Sequence, residues 1–525
     1  MTKQSKSVRT LALILGDQLD ESYPASLSLD KDEDAILMVE VKGASKSPPS
    51  HIQRTVLFLS AMRHHAESLE QDGWRVEYVE LADSSNTHSF SGEVERAIKR
   101  LKPRQMKCIE PGDHAVRAEI EETCEGRDIE LTVAADPHFL CTLQEFNDWA
   151  DGRKELTLEY FYREQRKKLD VLLTKDGKPK GGDWNYDKEN RKTFKKAPSP
   201  PDTPTFRPDK ITKRVIDDVR KVLPGLPGDL SGEGYSFNWP VTRKQAVRAL
   251  DDFIENRLPH FGDYQDAMWT GERTLYHSLL SSSLNLKLLN PREVYKKAID
   301  AYESGDAPLN CVEGFVRQII GWREFIRGIY FHQGKAYPRR NALDQHGDLP
   351  EFYWTADTDM ACMEDCLSSV LESAYGHHIA RLMVTGNFAL ISGIHPGRVH
   401  EWYLGMYVDA VEWATAPNTI GMALHADGGV VGTKPYAASG KYINRMSNYC
   451  KECRYDVNKR IGEDACPFNT FYWDFLIRNE RTFKSNQRMS LILKNVAKLS
   501  KETRVEITSS ARALRKTLGI GGISR

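Results

Sequence analysis

No stretch of this 525-residue sequence approaches the roughly 20 consecutive apolar residues that a helix needs to cross a bilayer, so no membrane span is expected. A surplus of either charge is also missing. With 73 Lys+Arg against 74 Asp+Glu, the chain is no wholesale polycation, and any nucleic-acid contact must come from a local basic patch. Internal repeats of the solenoid kind are absent. The polar start, Met1 to Arg9, leads into Thr10-Leu-Ala-Leu-Ile-Leu-Gly16, which is too short for a signal-peptide core with a cleavage site and reads as a buried strand. A cytoplasmic protein is expected. Nine cysteines in a reducing compartment are free, catalytic or metal-bound rather than disulfide-bonded.

The length allows two or three domains. Over the first 140 or so residues, apolar β-rich runs at 10–16, 35–41, 75–81, 105–110 and 129–135 alternate with helical patterns at 53–71, 91–102 and 114–124. That alternation predicts a doubly wound parallel sheet, with ligands beyond the carboxyl ends of the strands. From about 174 to 213 the sequence is basic, rich in Pro and Gly and without apolar periodicity, which reads as a long connector. Within it, Trp184-Asn185-Tyr186-Asp187 is unusual for a tether and suggests local packing. Beyond about 230 the patterns are helical: 242–256, 275–289, 291–304, 311–331, 360–394 with an interruption, and 396–408. The expected organisation is an α/β domain (1–140), a connector (141–230) and an all-helical domain (231–525).

Cys450-Lys-Glu-Cys453, with Cys466-Pro467 twelve residues on, has the spacing of thiolates that share a metal centre. A four-thiolate site needs one more cysteine, and Cys362 and Cys366 are nearest in sequence. Spacing does not separate structural zinc from an iron–sulfur cluster.

Four further stretches, in this order, resemble the photolyase/cryptochrome family. They are Tyr276-His277-Ser278-Leu279-Leu280-Ser281; Phe315-Val-Arg317-Gln318-Ile-Ile-Gly321-Trp322-Arg323-Glu324-Phe325; His377-His378-Ile-Ala-Arg381-Leu-Met-Val-Thr-Gly-Asn387-Phe388; and Trp402-Tyr403 with Asp409-Ala-Val-Glu-Trp413. Alone, each has a plainer reading: a helix cap, an amphipathic helix with a buried Trp, or core aromatics. Their joint order is far more specific. The resemblance spans the chain and is closest to the bacterial iron–sulfur branch, the prokaryotic (6-4) photolyases and related cryptochromes.

That resemblance implies FAD held by the 277–281 segment and Gln318, with an Arg381–Asp409 pair beside it. It implies a 4Fe-4S cluster on Cys362, Cys450, Cys453 and Cys466, leaving Cys366 a plain thiol. It also implies light-driven repair of (6-4) photoproducts in UV-damaged DNA, with His378 as proton donor and His377 as a core or orienting neighbour. The position four residues after His378, where eukaryotic enzymes carry a second histidine, is Leu382. Trp402 near the flavin, Trp354 nearer the surface and Tyr403 would carry electrons. The position facing flavin N5 falls on Thr415 or, if the alignment slips, Asn418. A 6,7-dimethyl-8-ribityllumazine antenna would lie by Gly16, Asp17, Gln18 and Glu110. Tyr436 and Tyr442 are candidates for base or flavin contact, Asp187 for a divalent Mg2+ ion, and a monomer is expected. The alternatives are a light sensor with the same cofactors and no repair, and a DNA-binding protein stapled by its cluster.

Overall fold

The structure, a computed structural model, describes residues 8–46, 48–230 and 236–522. The first seven residues of the polar N-terminal stretch, and residues 231–235 at the expected domain boundary, lie outside the described residues.

Five parallel strands, β1 (Thr10–Leu13), β2 (Ala35–Val39), β3 (Val76–Val79), β4 (Gln105–Ile109) and β5 (Glu130–Ala134), lie in the order β3-β2-β1-β4-β5. All five expected strands are present, with shorter ends. Successive residues feed two separate cores: Ala12, Ile36 and Met38 pack with α1 (Ile52–Gln71), while Leu11, Leu13 and Leu37 pack against α2 (Phe90–Leu101) and α3 (His114–Glu125). A sheet covered on both faces explains why β1 is apolar at nearly every position rather than alternating. The strand order reverses between β1 and β4, which makes their carboxyl ends the natural ligand crevice.

The segment read as a connector carries structure of its own. Helices α4 (Leu143–Ala150), α5 (Leu158–Leu169) and α6 (Lys210–Val222) are all docked. Arg63 of α1 ties α6 down, pairing with Glu40 at 2.7 Å and Asp218 at 2.7 Å. The Trp184–Asp187 island is packed: the Arg166 guanidinium lies 5.1 Å from the Trp184 ring, and the Tyr186 amide donates to Glu313 at 3.1 Å.

Helices dominate the rest: α7 (Arg243–Asn256), α8 (Pro291–Glu303), α9, α10 (Ala361–Ser373), α11, α12 (Pro396–Met406), α13, α14 (Pro467–Arg478), α15 (Ser490–Ala497) and α16 (Lys501–Thr517). Three of them change pitch. Helix α9 runs Leu309–Val316, a π-helical Arg317–Trp322, then Arg323–Gln333. Helix α11 runs from a π-helical Ala380–Gly386 into Asn387–Ser392, and α13 from Glu412–Ala416 into a π-helical Pro417–Ala423. One expected helix is corrected: of 275–289 only Ser281–Asn285 is helical, because Leu275, Leu279 and Lys287 take left-handed backbone with φ of 47°, 60° and 66°.

The α/β and helical regions meet without a gap. A Cβ on Gly405 would sit 2.3 Å from the Pro49 carbonyl, and one on Gly112 would sit 2.7 Å from Trp413. Lys287 and Asp136, both buried, pair across the junction at 3.1 Å.

Candidate functional site

The π-helical stretches carry the residues that the sequence singled out. Gln318 and Trp322 lie in the first, Arg381 in the second and Asn418 in the third. π-turns gather at functional sites because one extra residue per turn re-aims side chains that an α-helix would point elsewhere. The Trp322 indole N–H donates to Asn418 Oδ1 at 3.0 Å, and the Asn418 amide donates to the Ala414 carbonyl at 2.8 Å, so this amide is fixed. Thr415 stands on the same helix, half-buried.

Arg381 is the hub. Its Nη1 meets Asp409 at 2.9 Å, its Nε donates to the Gly376 carbonyl at 2.5 Å, and its guanidinium lies 3.9 Å from the centre of the Tyr407 ring. Burial alone would raise the Asp409 carboxyl, but the Arg381 charge and hydrogen bonds from Arg381 and Ser281 outweigh it and hold Asp409 below its usual range. Asn285 donates to the Asp409 carbonyl at 2.8 Å, which locks the helix after the 277–281 segment onto this pair.

His377 is buried and stacks on His277, with ring centres 4.6 Å apart and planes within 11°. His378 differs: its side chain is open to solvent yet closely surrounded by protein, as in the wall of a recess. That crowding, and the Arg381 charge, lower its imidazole to about 4. His377 falls to about 3 by burial and the nearby positive groups. Both rings are therefore neutral at pH 7.

Several buried polar atoms near this recess have no partner within the protein: His277 Nε2, His377 Nδ1, the Ser282 and Ser283 hydroxyls, and Arg323 Nε and Nη1. Native proteins seldom leave such groups unpaired, so their clustering fits a polar, phosphate-bearing ligand. Arg323 lies in the second of the singled-out stretches without a role of its own there, and Ser282 and Ser283 were missed. Serines immediately after the chosen segment were the available signal.

Trp402, fully buried, is ringed by Tyr353 at 5.3 Å, Tyr403 at 5.6 Å, Tyr407 at 5.6 Å and Trp354 at 6.5 Å. Only Trp354, 38% exposed, carries this cluster to the surface. Tyr403 bonds the Arg381 carbonyl at 2.7 Å. Tyr407 is a further residue that sequence reasoning missed.

The Tyr442 ring lies 5.4 Å from the Arg445 guanidinium, and Tyr436 is near the charges of Arg488 and Asp187. The Asp187 carboxylate is already engaged by Arg317.

Cys362, Cys450, Cys453 and Cys466 line one apolar cavity with Met360, Ile443, Tyr449 and Phe468. Burial and the neighbouring sulfurs raise the Cys362 and Cys450 thiols, the latter to about 12. A Cβ on Gly440 would come 2.8 Å from the Cys466 sulfur, so only glycine fits there. Asn469 fixes the surrounding loop, accepting from the Gly440 amide at 3.0 Å and donating to the Val457 and Lys459 carbonyls at 2.8 Å each. Among the described residues, no three His, Cys, Asp or Glu side chains close on a single metal ion. Four thiols around one apolar cavity are a donor set for a zinc or an iron–sulfur centre. Cys366 lies one turn beyond Cys362, outside that lining.

In the β1/β4 crevice, Asp17 and Gly112 face Trp413 of the helical region. Gln18 is spent internally: its Oε1 accepts from the Leu15 amide at 3.2 Å and its Nε2 donates to the Ile109 and Glu110 carbonyls at 3.1 and 3.2 Å. The Glu110 carboxylate pairs with Arg117 at 2.7 Å. Gly16 packs against Met62, where a Cβ would lie 3.0 Å from the sulfur.

Residues 12–235 match the family of deoxyribodipyrimidine photo-lyase-related proteins. A (6-4) photolyase of Agrobacterium fabrum is 47% identical over 508 residues, covering 97% of this chain and 99% of the relative. Among solved structures, a bacterial class III photolyase from Agrobacterium tumefaciens has a TM-score of 0.57 at 15% identity, covering 98% of this chain and 99% of its own. A Synechocystis cryptochrome has a TM-score of 0.56 at 12% identity, covering 99% of this chain and 100% of its own. These two likenesses concern the fold. No helix among the described residues is long and apolar enough to cross a membrane.

Proposed function

Because the chain belongs to the photolyase/cryptochrome family, with a (6-4) photolyase 47% identical along nearly its whole length, we propose that it repairs (6-4) photoproducts in DNA in a light-dependent lyase reaction. That identity over 97% of the chain carries the reading. The recess, with one charged pair beside a solvent-reachable histidine, supplies its chemistry.

The unpartnered groups around His277, Ser282, Ser283 and Arg323 fit FAD, whose reduced form supplies an electron on excitation. Arg381 and Asp409 hold the floor of the recess at a fixed charge, and the permanent guanidinium favours an electron-rich ring beside it. His378 is the proton donor. It is neutral at pH 7 in the lesion-free protein, so donation requires the anionic phosphates of a flipped dinucleotide to raise its imidazole. Trp402 and Trp354 conduct electrons from the surface inward. The four thiols hold an iron–sulfur cluster that braces α10 against α14, and the Asp17–Trp413 crevice takes the lumazine antenna. A Mg2+ ion at Asp187 would have to displace Arg317.

The test is repair of a duplex carrying one (6-4) lesion under blue light. Restored thymines are expected. His378→Ala should abolish repair while flavin photoreduction stays normal. Normal photoreduction without repair by the unmodified protein would leave a light sensor instead.

A further inference from the structure

The whole chain carries almost no net charge, yet its last segment is one-sided. Between 481 and 522 the exposed charged side chains are eight Lys or Arg and two Glu. Elsewhere surface cations are commonly paired, as in Arg243–Glu293 or Lys192–Asp263. Here none of the eight is in an ion pair, and only Arg488 has a protein partner, the Thr433 hydroxyl. Arg504 and Arg515, which do form pairs, are the two less exposed ones and anchor the helices.

The cations share faces with aliphatic residues. On α15, Val496 turns inward while Leu491, Lys494 and Lys498 fall within about 60° of one another on the opposite side. On α16, Ile507, Ala511 and Arg515 face the body, Lys501, Val505, Arg512 and Lys516 line an exposed flank, and Glu502 stands beside them. Leu491 and Val505, 72% and 68% exposed, are the most exposed large aliphatic residues of the described chain. A surface on which exposed cations outnumber acids eight to two, with solvated aliphatic residues among them, is suited to an anionic partner having apolar sugar edges.

Its position says which one. Arg488 is bound to the Thr433 hydroxyl and lies near Tyr436, which is also near Asp187, the partner of Arg317 in α9. Arg488 thus brings the cationic segment beside the π-helical stretch of α9 that carries Gln318. Resting on the repair reading, we propose that α15 and α16 form a second DNA-binding arm, gripping the duplex that flanks the lesion through its backbone. Over its length of about 15 Å, Arg488 to Lys498 would follow the phosphates of about four base pairs.

The test uses the full-length protein with its cofactors and two lesion duplexes, one of about 30 base pairs and one of about 8. Lys494→Gln/Lys498→Gln and Lys501→Gln/Arg512→Gln/Lys516→Gln are compared with the unmodified protein. Binding to the long duplex should weaken by about tenfold to a hundredfold, and its log–log salt slope should fall by about two to three. Binding and repair of the short duplex, and the flavin spectrum, should not change. Leu491→Ser should weaken the long duplex less and leave the salt slope intact. Equal losses on both duplexes, an unchanged slope, or loss of binding to anionic vesicles alone would overturn the arm. Failure of the unmodified protein to repair, with arm-dependent binding intact, would instead overturn the repair reading.

Discussion

The four-thiol cavity and the imidazole-lined recess are shaped by the same force and end in opposite conditions. Burial neutralises both, raising thiols in one and lowering imidazoles in the other. In the recess the charged members, Arg381 and Asp409, satisfy each other, and Tyr403 and Asn285 complete the frame with protein–protein hydrogen bonds. Around the thiols the walls are apolar, and the framing bonds of Asn469 reach only the loop. The recess has a protein-made frame around its unpartnered His277, Ser282, Ser283 and Arg323 groups, whereas the thiols meet only apolar walls, so binding there is tied more closely to folding.

The largest effect should come from breaking the guest-dependent site. Cys466→Ser should remove the broad visible absorption of a cluster and lower the thermal midpoint by about 10 °C, since binding free energy at such a site is folding free energy. Stripping flavin from the unmodified protein should move the midpoint much less. Similar shifts in the two experiments would erase the distinction between the sites.

Next in size is the charged pair. Asp409→Asn leaves Arg381, largely shielded from water, uncompensated, at a cost of about 3 kcal/mol, the lower end for a buried pair. Chemical denaturation measures this. Adding Arg381→Met should recover part of the loss, because the orphan charge, rather than a missing contact, is the main penalty.

How far each site was legible follows from the same contrast. The strands announced themselves because a doubly covered sheet makes apolar runs, and Leu11 and Ala12 need no distant partner to be read that way. That Cys450, Cys453 and Cys466 line one cavity was legible from spacing, since they are close in sequence. Arg381 and Asp409 stand 28 residues apart, and their meeting could be foreseen only through family resemblance. The π-turns were hidden because one extra residue hardly disturbs apolar periodicity over a single turn. The 275–289 stretch misled for a tertiary reason. Its carbonyls serve other elements, Leu284 accepting from Arg323 and Leu286 from Leu19, so helical periodicity was overridden.

Acid should loosen the molecule at the seam between its two regions. His51 is neutral by construction: its Nδ1 accepts from the Gln53 amide at 3.1 Å and its Nε2 donates to the Leu371 carbonyl at 2.9 Å. Burial depresses it to about 4, below the unfolded value of 6.5. The unfolded chain therefore takes a proton that the native one refuses. Stability is full above pH 6.5, falls as pH drops toward 4, and levels off below. The loss is about 3 kcal/mol. His51→Asn, which can still cap α1, should flatten this part of the pH–stability curve.

The smallest effect concerns how the recess communicates with the surface. Positive charge arriving at Trp402 has four aromatic neighbours to move to, and three of them are buried. Tyr407 is a poor choice because the Arg381 guanidinium already lies 3.9 Å from its ring centre. Tyr353 is buried with its hydroxyl spent on the Thr385 carbonyl at 2.8 Å. Trp354, at 6.5 Å and open to solvent, can hold the charge where an external reductant meets it. Trp354→Phe should therefore slow flavin photoreduction by about tenfold, a barrier change of about 1.4 kcal/mol, while Tyr407→Phe should leave it unchanged. Steady illumination with an added thiol reads both rates. If Tyr407→Phe slows reduction as much as Trp354→Phe, the charge leaves past Arg381, and the guanidinium does not direct it.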